Sequence, residues 1–290
     1  CFMLKGSIVA LVTSFENNAL NEDVYRKLIH YHLKNGTNGV VPGGTTGESP
    51  TLSHDEHKRI IEIAVKECNG KIPVIAGTGS NNTLEAVEYT AHAENSGADL
   101  ISLIVRERFY SEDQIFKHYQ LINDACGIGI LIHEMPFLNG LGGPLVNWPL
   151  SLLDRVADLQ NVVAIKEDAK DDTYSREVIK TLRDRLSIII SGGGKSQWLR
   201  FCDEGCQAWL NGIGVFEPKL ATSFWEAWKK NKKDYCQRII KEIEKPFFEY
   251  GVQKYGWHLA IKVALEHFNV MSRHDRMPLM PLNEEDSNLF

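Results

Sequence analysis

The chain has 290 residues, 43 % of them hydrophobic and 24 % charged, with a formal net charge of −6. That is ordinary globular composition, with enough length for one large α/β barrel of about 250 residues. The acidic balance argues against nucleic acid or an anionic membrane as main partner, no apolar run of about 18 residues is present to span a membrane, and residues 1–5 hold no signal-peptide core.

In chain order, short apolar runs alternate with longer amphipathic stretches. The runs are 7–14 (SIVALVTS), 39–44 (GVVPGG), 73–79 (PVIAGTG), 99–105 (DLISLIV), 129–136 (GILIHEMP), 162–168 (VVAIKED), 186–193 (LSIIISGG) and 208–214 (AWLNGIG). Several are apolar at nearly every position, the pattern of parallel strands covered on both faces. Helical patterns fall between them at 21–35, 53–68, 83–96, 111–125, 149–157, 173–183 and 195–203. The second of these opens on Ser53 with Glu56 three residues on, a capping-box signal. Eight strand–helix units predict a (β/α)8 barrel, with an open doubly wound sheet as the alternative.

After residue 214 the alternation stops, and 219–230, 232–250 and 254–268 all read as helices, followed by a tail with Pro278 and Pro281. The expected organisation is a barrel over 1–230 and a C-terminal helical region over 231–290. Cys1, Cys68, Cys126, Cys202, Cys206 and Cys236 are scattered without a CxxC pair and read as reduced thiols of a cytoplasmic protein. Trp225, Trp228 and Trp257 read as packing residues, and His54, His57 and His118 as solvated on helix faces.

Active sites of such barrels lie at the C-terminal ends of the strands. Lys166 closes an otherwise apolar run, Val162-Val163-Ala164-Ile165-Lys166. Ammonium groups are rarely buried, and an apolar surrounding favours the neutral, nucleophilic amine. The competing reading is a structural ion pair with Glu48 or Glu167. The segment Gly43-Gly44-Thr45-Thr46-Gly47-Glu48-Ser49 combines glycines, successive amides and two hydroxyls, which suits a carboxylate. It lacks the GK[ST] ending of a nucleotide loop. A plain strand–helix turn is the alternative.

Gly44-Thr45-Thr46-Gly47-Glu48, Ile165-Lys166-Glu167 and the tail from Ile261-Lys262-Val263-Ala264-Leu265 to Arg276-Met277-Pro278-Leu279-Met280-Pro281-Leu282 together carry a resemblance. Over essentially its whole length the chain resembles the dihydrodipicolinate synthase / N-acetylneuraminate lyase family of class I aldolase-type lyases. The resemblance implies a (β/α)8 barrel with C-terminal helices, a homotetramer or homodimer, and no metal or separate cofactor. It implies that Lys166 forms an imine with pyruvate or a related 2-oxo acid, and that Thr45 and Thr46 hold the carboxylate, one hydroxyl relaying protons. It also implies that Leu210 lines the keto-acid pocket. Gly44 and Gly193 join them as strand-end candidates for substrate contact.

Four departures from the family pattern stand out. The fifth strand of the family ends Tyr-Asn-x-Pro, whereas this one reads His133-Glu134-Met135-Pro136, so His133 takes the place of the proton-shuttling tyrosine. Leu138 stands where synthases carry an arginine for the second substrate, which argues against dihydrodipicolinate synthesis. Val105-Arg106-Glu107-Arg108-Phe109-Tyr110 replaces a Pro-Tyr-Tyr run, making Arg106 or Arg108 a candidate for an acidic substrate group or a surface ion-pair cluster. Gly192-Gly193-Gly194 replaces acidic residues that bind sugar hydroxyls, which weakens a sialic-acid reading. The expected function is a Schiff-base lyase or aldolase on a 2-oxo acid. The rivals are a keto-acid-binding or regulatory protein without turnover, and a sugar-acid dehydratase.

Overall fold

The computed structural model describes residues 4–105, 110–135, 137–138, 145–191, 194–210 and 212–289, with backbone alone at 137, 138, 145 and 146. Eight parallel strands alternate with helices, and more helices follow: the (β/α)8 barrel class that the apolar runs predict. The strands are β1 (Gly6–Ala10), β2 (Gly39–Val41), β3 (Ile75–Gly77), β4 (Leu100–Ile104), β5 (Gly129–Glu134), β6 (Val162–Glu167), β7 (Ser187–Ile190) and β8 (Cys206–Leu210). The intervening helices are α1 (Glu22–Lys34), α2 (His54–Cys68), α3 (Thr83–Ser96), α4 (Glu112–Ala125), α5 (Leu150–Ala157), α6 (Asp172–Leu182) and α7 (Gly194–Phe201).

By contact density the chain divides into two compact units, one of Cys1–Lys5 with Ile75–Leu210 and one of Gly6–Val74 with Asn211–Phe290. In the first unit β3 to β8 pair in sequence order, each parallel to the next. The register sets Lys166 of β6 beside His133 of β5, and Glu167 beside Glu134. Successive side chains of a strand point to opposite faces, so the two pairs lie on opposite faces of the sheet. Ile132, Ile165, Ile189 and Ala208 are fully buried around them. Each buried isoleucine contributes on the order of 2 kcal/mol.

In the second unit β1 pairs with β2, Val9 opposite Val40 and Ala10 opposite Val41. Helices α1 and α2 pack on each other, α1 burying Tyr25, Leu28 and Ile29 and α2 burying Ile60, Ile61 and Ala64. The Ser53 signal is realised as a full capping box with Glu56, and Ser111 with Gln114 forms a second one on α4. These caps supply partners for amides that a helix start leaves open.

Three sequence expectations need correction. The eighth strand starts two residues earlier than expected, at Cys206, and residues 212–215 form a 3-10 turn. The helix expected over 232–250 is a regular α-helix only over Lys233–Ile239, then widens into π-helical turns at Ile240–Glu244 and Phe247–Val252. Pro246 sits between them, lacks an amide hydrogen and breaks the i→i−4 ladder, and Lys245 N bonds back to Ile240 O instead. His57 and His118 are buried, not solvated. His118 Nδ1 lies 2.9 Å from Thr83 Oγ1, and burial pushes its imidazole pKa down. Among the described residues no disulfide joins the five cysteines, and no helix is long and apolar enough to cross a membrane.

Candidate active site

Lys166 and His133 sit at the C-terminal ends of neighbouring strands, where register and side-chain period bring them together. Lys166 is 6 % exposed and His133 8 %. Lys166 Nζ lies 2.6 Å from His133 Nε2 and donates to Asp168 Oδ2 at 2.9 Å. The same carboxylate oxygen stands 3.6 Å from His133 Nε2. The surroundings of Lys166 are therefore not purely apolar, as expected from its strand, but contain a charged partner. That partner is neither Glu48 nor Glu167. Burial alone would raise the Asp168 carboxyl, yet the Lys166 charge and the His133 imidazole outweigh it and hold the group well below the usual carboxylate range.

The opposite face of the same two strands carries a second pair. Glu134 and Glu167 are both fully buried. Glu167 accepts from Ser175 Oγ at 2.5 Å and from the Ala169 amide at 2.7 Å. Glu134 Oε1 accepts weakly from the Trp148 amide at 3.3 Å, and its Oε2 has no hydrogen-bond partner among the described residues. Burial, with the neighbouring Glu167, pushes Glu134 up to about 8. Burial likewise pushes Glu167 up to about 7 against its two hydrogen bonds. The half-buried Tyr174 hydroxyl donates to Trp148 O at 2.7 Å.

Leu210 ends β8 and is buried. Ala208 is level with Ile189, and Ile189 with Lys166. Leu210, two residues beyond Ala208, shares that side of the sheet. Arg106, Arg108, Gly192 and Gly193 lie outside the described residues, as does the side chain of Leu138.

In the second unit, residues 43–49 form a tight turn. Gly47 N and Ser49 N bond to Gly44 O, and Glu48 N to Thr45 O. Those three amides serve the turn itself and not an anion nest. A Cβ at Gly47 would lie 2.8 Å from Leu11 O, so only glycine fits there. Glu48 adopts φ 57, a left-handed conformation that costs a non-glycine residue about 1 kcal/mol or more. Its carboxylate is fastened to Lys262, which also reaches Asp275 at 3.0 Å and His274 O at 2.7 Å. Gly44 has room for a side chain, with only Val41 Cγ1 at 3.7 Å. The Thr45 hydroxyl oxygen is buried without a hydrogen-bond partner among the described residues. Thr46 Oγ1 accepts from Trp257 Nε1 at 3.0 Å, and Thr45 O lies 2.8 Å from His258 Nε2.

The structure brings together Lys166 and His133, both singled out in the sequence, and adds Asp168 beside them and Trp257 and His258 at the threonine turn, contacts to which the sequence reading did not point. Asp168 had a usable signal: two residues beyond Lys166, it falls on the same face of an extended segment. Trp257 and His258 had none, since nothing local links them to a turn 211 residues earlier. Trp257 does pack, on Phe248 at 6.0 Å between ring centroids, but it is also a hydrogen-bond donor. Among the described residues no cluster of side chains has the make-up of a metal site.

A (β/α)8 barrel with a buried amine at the end of its sixth strand defines the class of protein. A model of the dihydrodipicolinate synthetase family matches residues 3–290, and the chain belongs to that family of lyases. A 4-hydroxy-tetrahydrodipicolinate synthase of Rhodopseudomonas palustris is 46 % identical over 291 residues, covering 96 % of this chain and 92 % of that one. Dihydrodipicolinate synthase from Aquifex aeolicus superposes with a TM-score of 0.88 at 28 % identity, over 98 % of this chain and 95 % of its own. The Acinetobacter baumannii enzyme complexed with pyruvate gives 0.88 at 25 % identity, over 99 % and 96 %.

Proposed function

We propose that this protein is a cytoplasmic Schiff-base lyase or aldolase that acts on a 2-oxo acid, such as pyruvate or a sugar-derived keto acid, through an imine on Lys166. One observation carries the reading: a buried primary amine at a strand end with an imidazole nitrogen 2.6 Å away. The amine lone pair attacks the ketone carbon, and water leaves. The resulting iminium is an electron sink, so a proton or a C–C bond on the neighbouring carbon can break. His133 serves as the proton carrier in place of the family tyrosine.

The family resemblance gives the substrate carboxylate to Thr45 and Thr46. The unpartnered buried hydroxyl of Thr45 supports this, because such a group is costly unless a ligand completes it. Gly44, Leu210, Gly193 and Arg106 complete the proposed substrate contacts, and a homotetramer or homodimer the proposed assembly. Incubation with pyruvate and borohydride, followed by mass spectrometry, is expected to show a covalent adduct on Lys166. No adduct with pyruvate, 2-oxobutyrate or a sugar-derived keto acid would reject the reading.

The second reading is the activity that the relatives' names state, 4-hydroxy-tetrahydrodipicolinate synthesis, and the 46 % identity to the Rhodopseudomonas palustris protein favours it. Leu138 in place of the family arginine speaks against it. A direct assay for that product separates the two, since the adduct forms under both readings.

A further inference from the structure

Beyond the lysine and its proton carrier, the site holds a third group that the imine reading leaves without a task. We propose that Asp168 is a positioning residue for imine formation, a buried carboxylate that holds Lys166 Nζ and the His133 imidazole in one trio and balances whichever of them carries the proton. The inference rests on the imine reading above.

The geometry is specific. Asp168 lies two residues past Lys166, so both side chains leave the chain on one face, and the β5–β6 register puts His133 on that face too. One oxygen, Oδ2, serves both partners, at 2.9 Å from Nζ and 3.6 Å from Nε2. All three side chains are about nine-tenths buried, with relative exposures of 8 %, 10 % and 11 %. A carboxylate in such a place is stable only while it is paired.

The chemistry explains why a fixed anion suits this position. A lysine ammonium and a ketone give an iminium and one water. Two protons leave Nζ and depart with the carbonyl oxygen, the N–C bond forms, the C–O bond breaks, and the single positive charge remains on nitrogen. His133 accepts each proton from Nζ and delivers it to the oxygen. While it holds a proton, the charge has moved only 2.6 Å and still faces Asp168. The carboxylate thus neutralises the start, the relay and the product without itself changing protonation. It also lines up the amine lone pair by accepting one of the Nζ hydrogens. Glu134 and Glu167 face the trio only from the opposite side of the strands, where they contribute to the field but make no contact with it.

The test uses the full chain and three variants, Asp168→Asn, Asp168→Glu and Lys166→Ala, and follows the rate of borohydride-trapped pyruvate adduct from pH 5 to 9. Asp168→Asn is expected to keep the thermal unfolding profile, to lose at least about tenfold in trapping rate, and to shift the rise of that rate with pH to lower pH. Asp168→Glu is expected to recover part of the rate and the native pH profile. A wild-type rate and profile in Asp168→Asn would overturn the inference while leaving the imine reading intact. An equal rate loss in both variants with an unmoved profile would overturn it as well, since that is the mark of lost packing. Should Asp168→Asn not fold, Asp168→Ser takes its place: a slower reaction whose rise moves to lower pH supports the role, and a wild-type rate and profile ends it. Absence of adduct in the wild-type protein, with Lys166→Ala as the blank, would remove the imine reading itself.

Discussion

Lys166, His133 and Asp168 show how one residue's neighbours change its chemistry. A lysine in an apolar strand suggests a desolvated amine, but the folded site supplies it with a carboxylate and an imidazole. Under the imine reading a proton leaves Nζ before the nitrogen attacks, and His133 Nε2 at 2.6 Å and Asp168 Oδ2 at 2.9 Å are the acceptors beside it. His133→Phe keeps the bulk of the ring and removes both nitrogens. Exchange of the C3 protons of pyruvate, followed by deuterium incorporation in NMR, is expected to slow on the order of 100-fold in that variant. An unchanged exchange rate would exclude His133 as the carrier. Thr45 carries a buried hydroxyl oxygen with no hydrogen-bond partner among the described residues. Thr45→Val is isosteric and removes that group, and a several-fold rise in KM for the keto acid is expected from kinetics.

At the scale of elements, the β5–β6 pair does two jobs on its two faces. One face carries the amine and imidazole, the other two carboxyls packed toward Ser175 of α6 and the Trp148 amide. The folded pKa values of Glu134 and Glu167, about 8 and about 7, lie above the ordinary value of 4.5. The native state therefore binds more protons than the unfolded chain between those limits. Stability is fully present below about pH 4.5 as far as this pair is concerned, and falls as pH rises through 7 and 8. Tm measured by calorimetry is expected to decline from pH 5 to 8.5. Glu134→Gln, which keeps the acceptor for Trp148 N but cannot ionise, is expected to flatten that decline. An equally steep fall in the variant would place the titration elsewhere. Strand existence and order were readable from the apolar runs, because strands covered on both faces must be apolar throughout. The π-helical turns around Pro246 were not, because widening a helix or ending it are both answers to a missing amide hydrogen.

At the scale of the whole molecule, segments distant in sequence anchor the turn at 43–51 and the helix after it. Arg276, from the tail, binds Glu56 at 2.6 and 2.8 Å and Thr51 O at 3.1 Å. The Arg276 guanidinium holds the Glu56 carboxyl down to about 2. A depressed carboxylate stabilises the fold above about pH 4.5, and that contribution is lost as pH falls toward 2. Arg276→Ala is expected to cost about 2 kcal/mol in urea unfolding at pH 7, and less at pH 3. A pH-independent loss would assign the effect to packing instead. The sequence by itself determined the fold class, the family, the amine at the end of the sixth strand and the threonine turn. Each is written in local periodicity or in a contiguous motif. Only the tertiary structure decided that Asp168 and not Glu48 faces the amine, that two glutamates share a buried layer, and that Trp257 and His258 hold the threonine turn. Those depend on strand register and on contacts between residues up to 213 positions apart, which chain order does not encode and packing does.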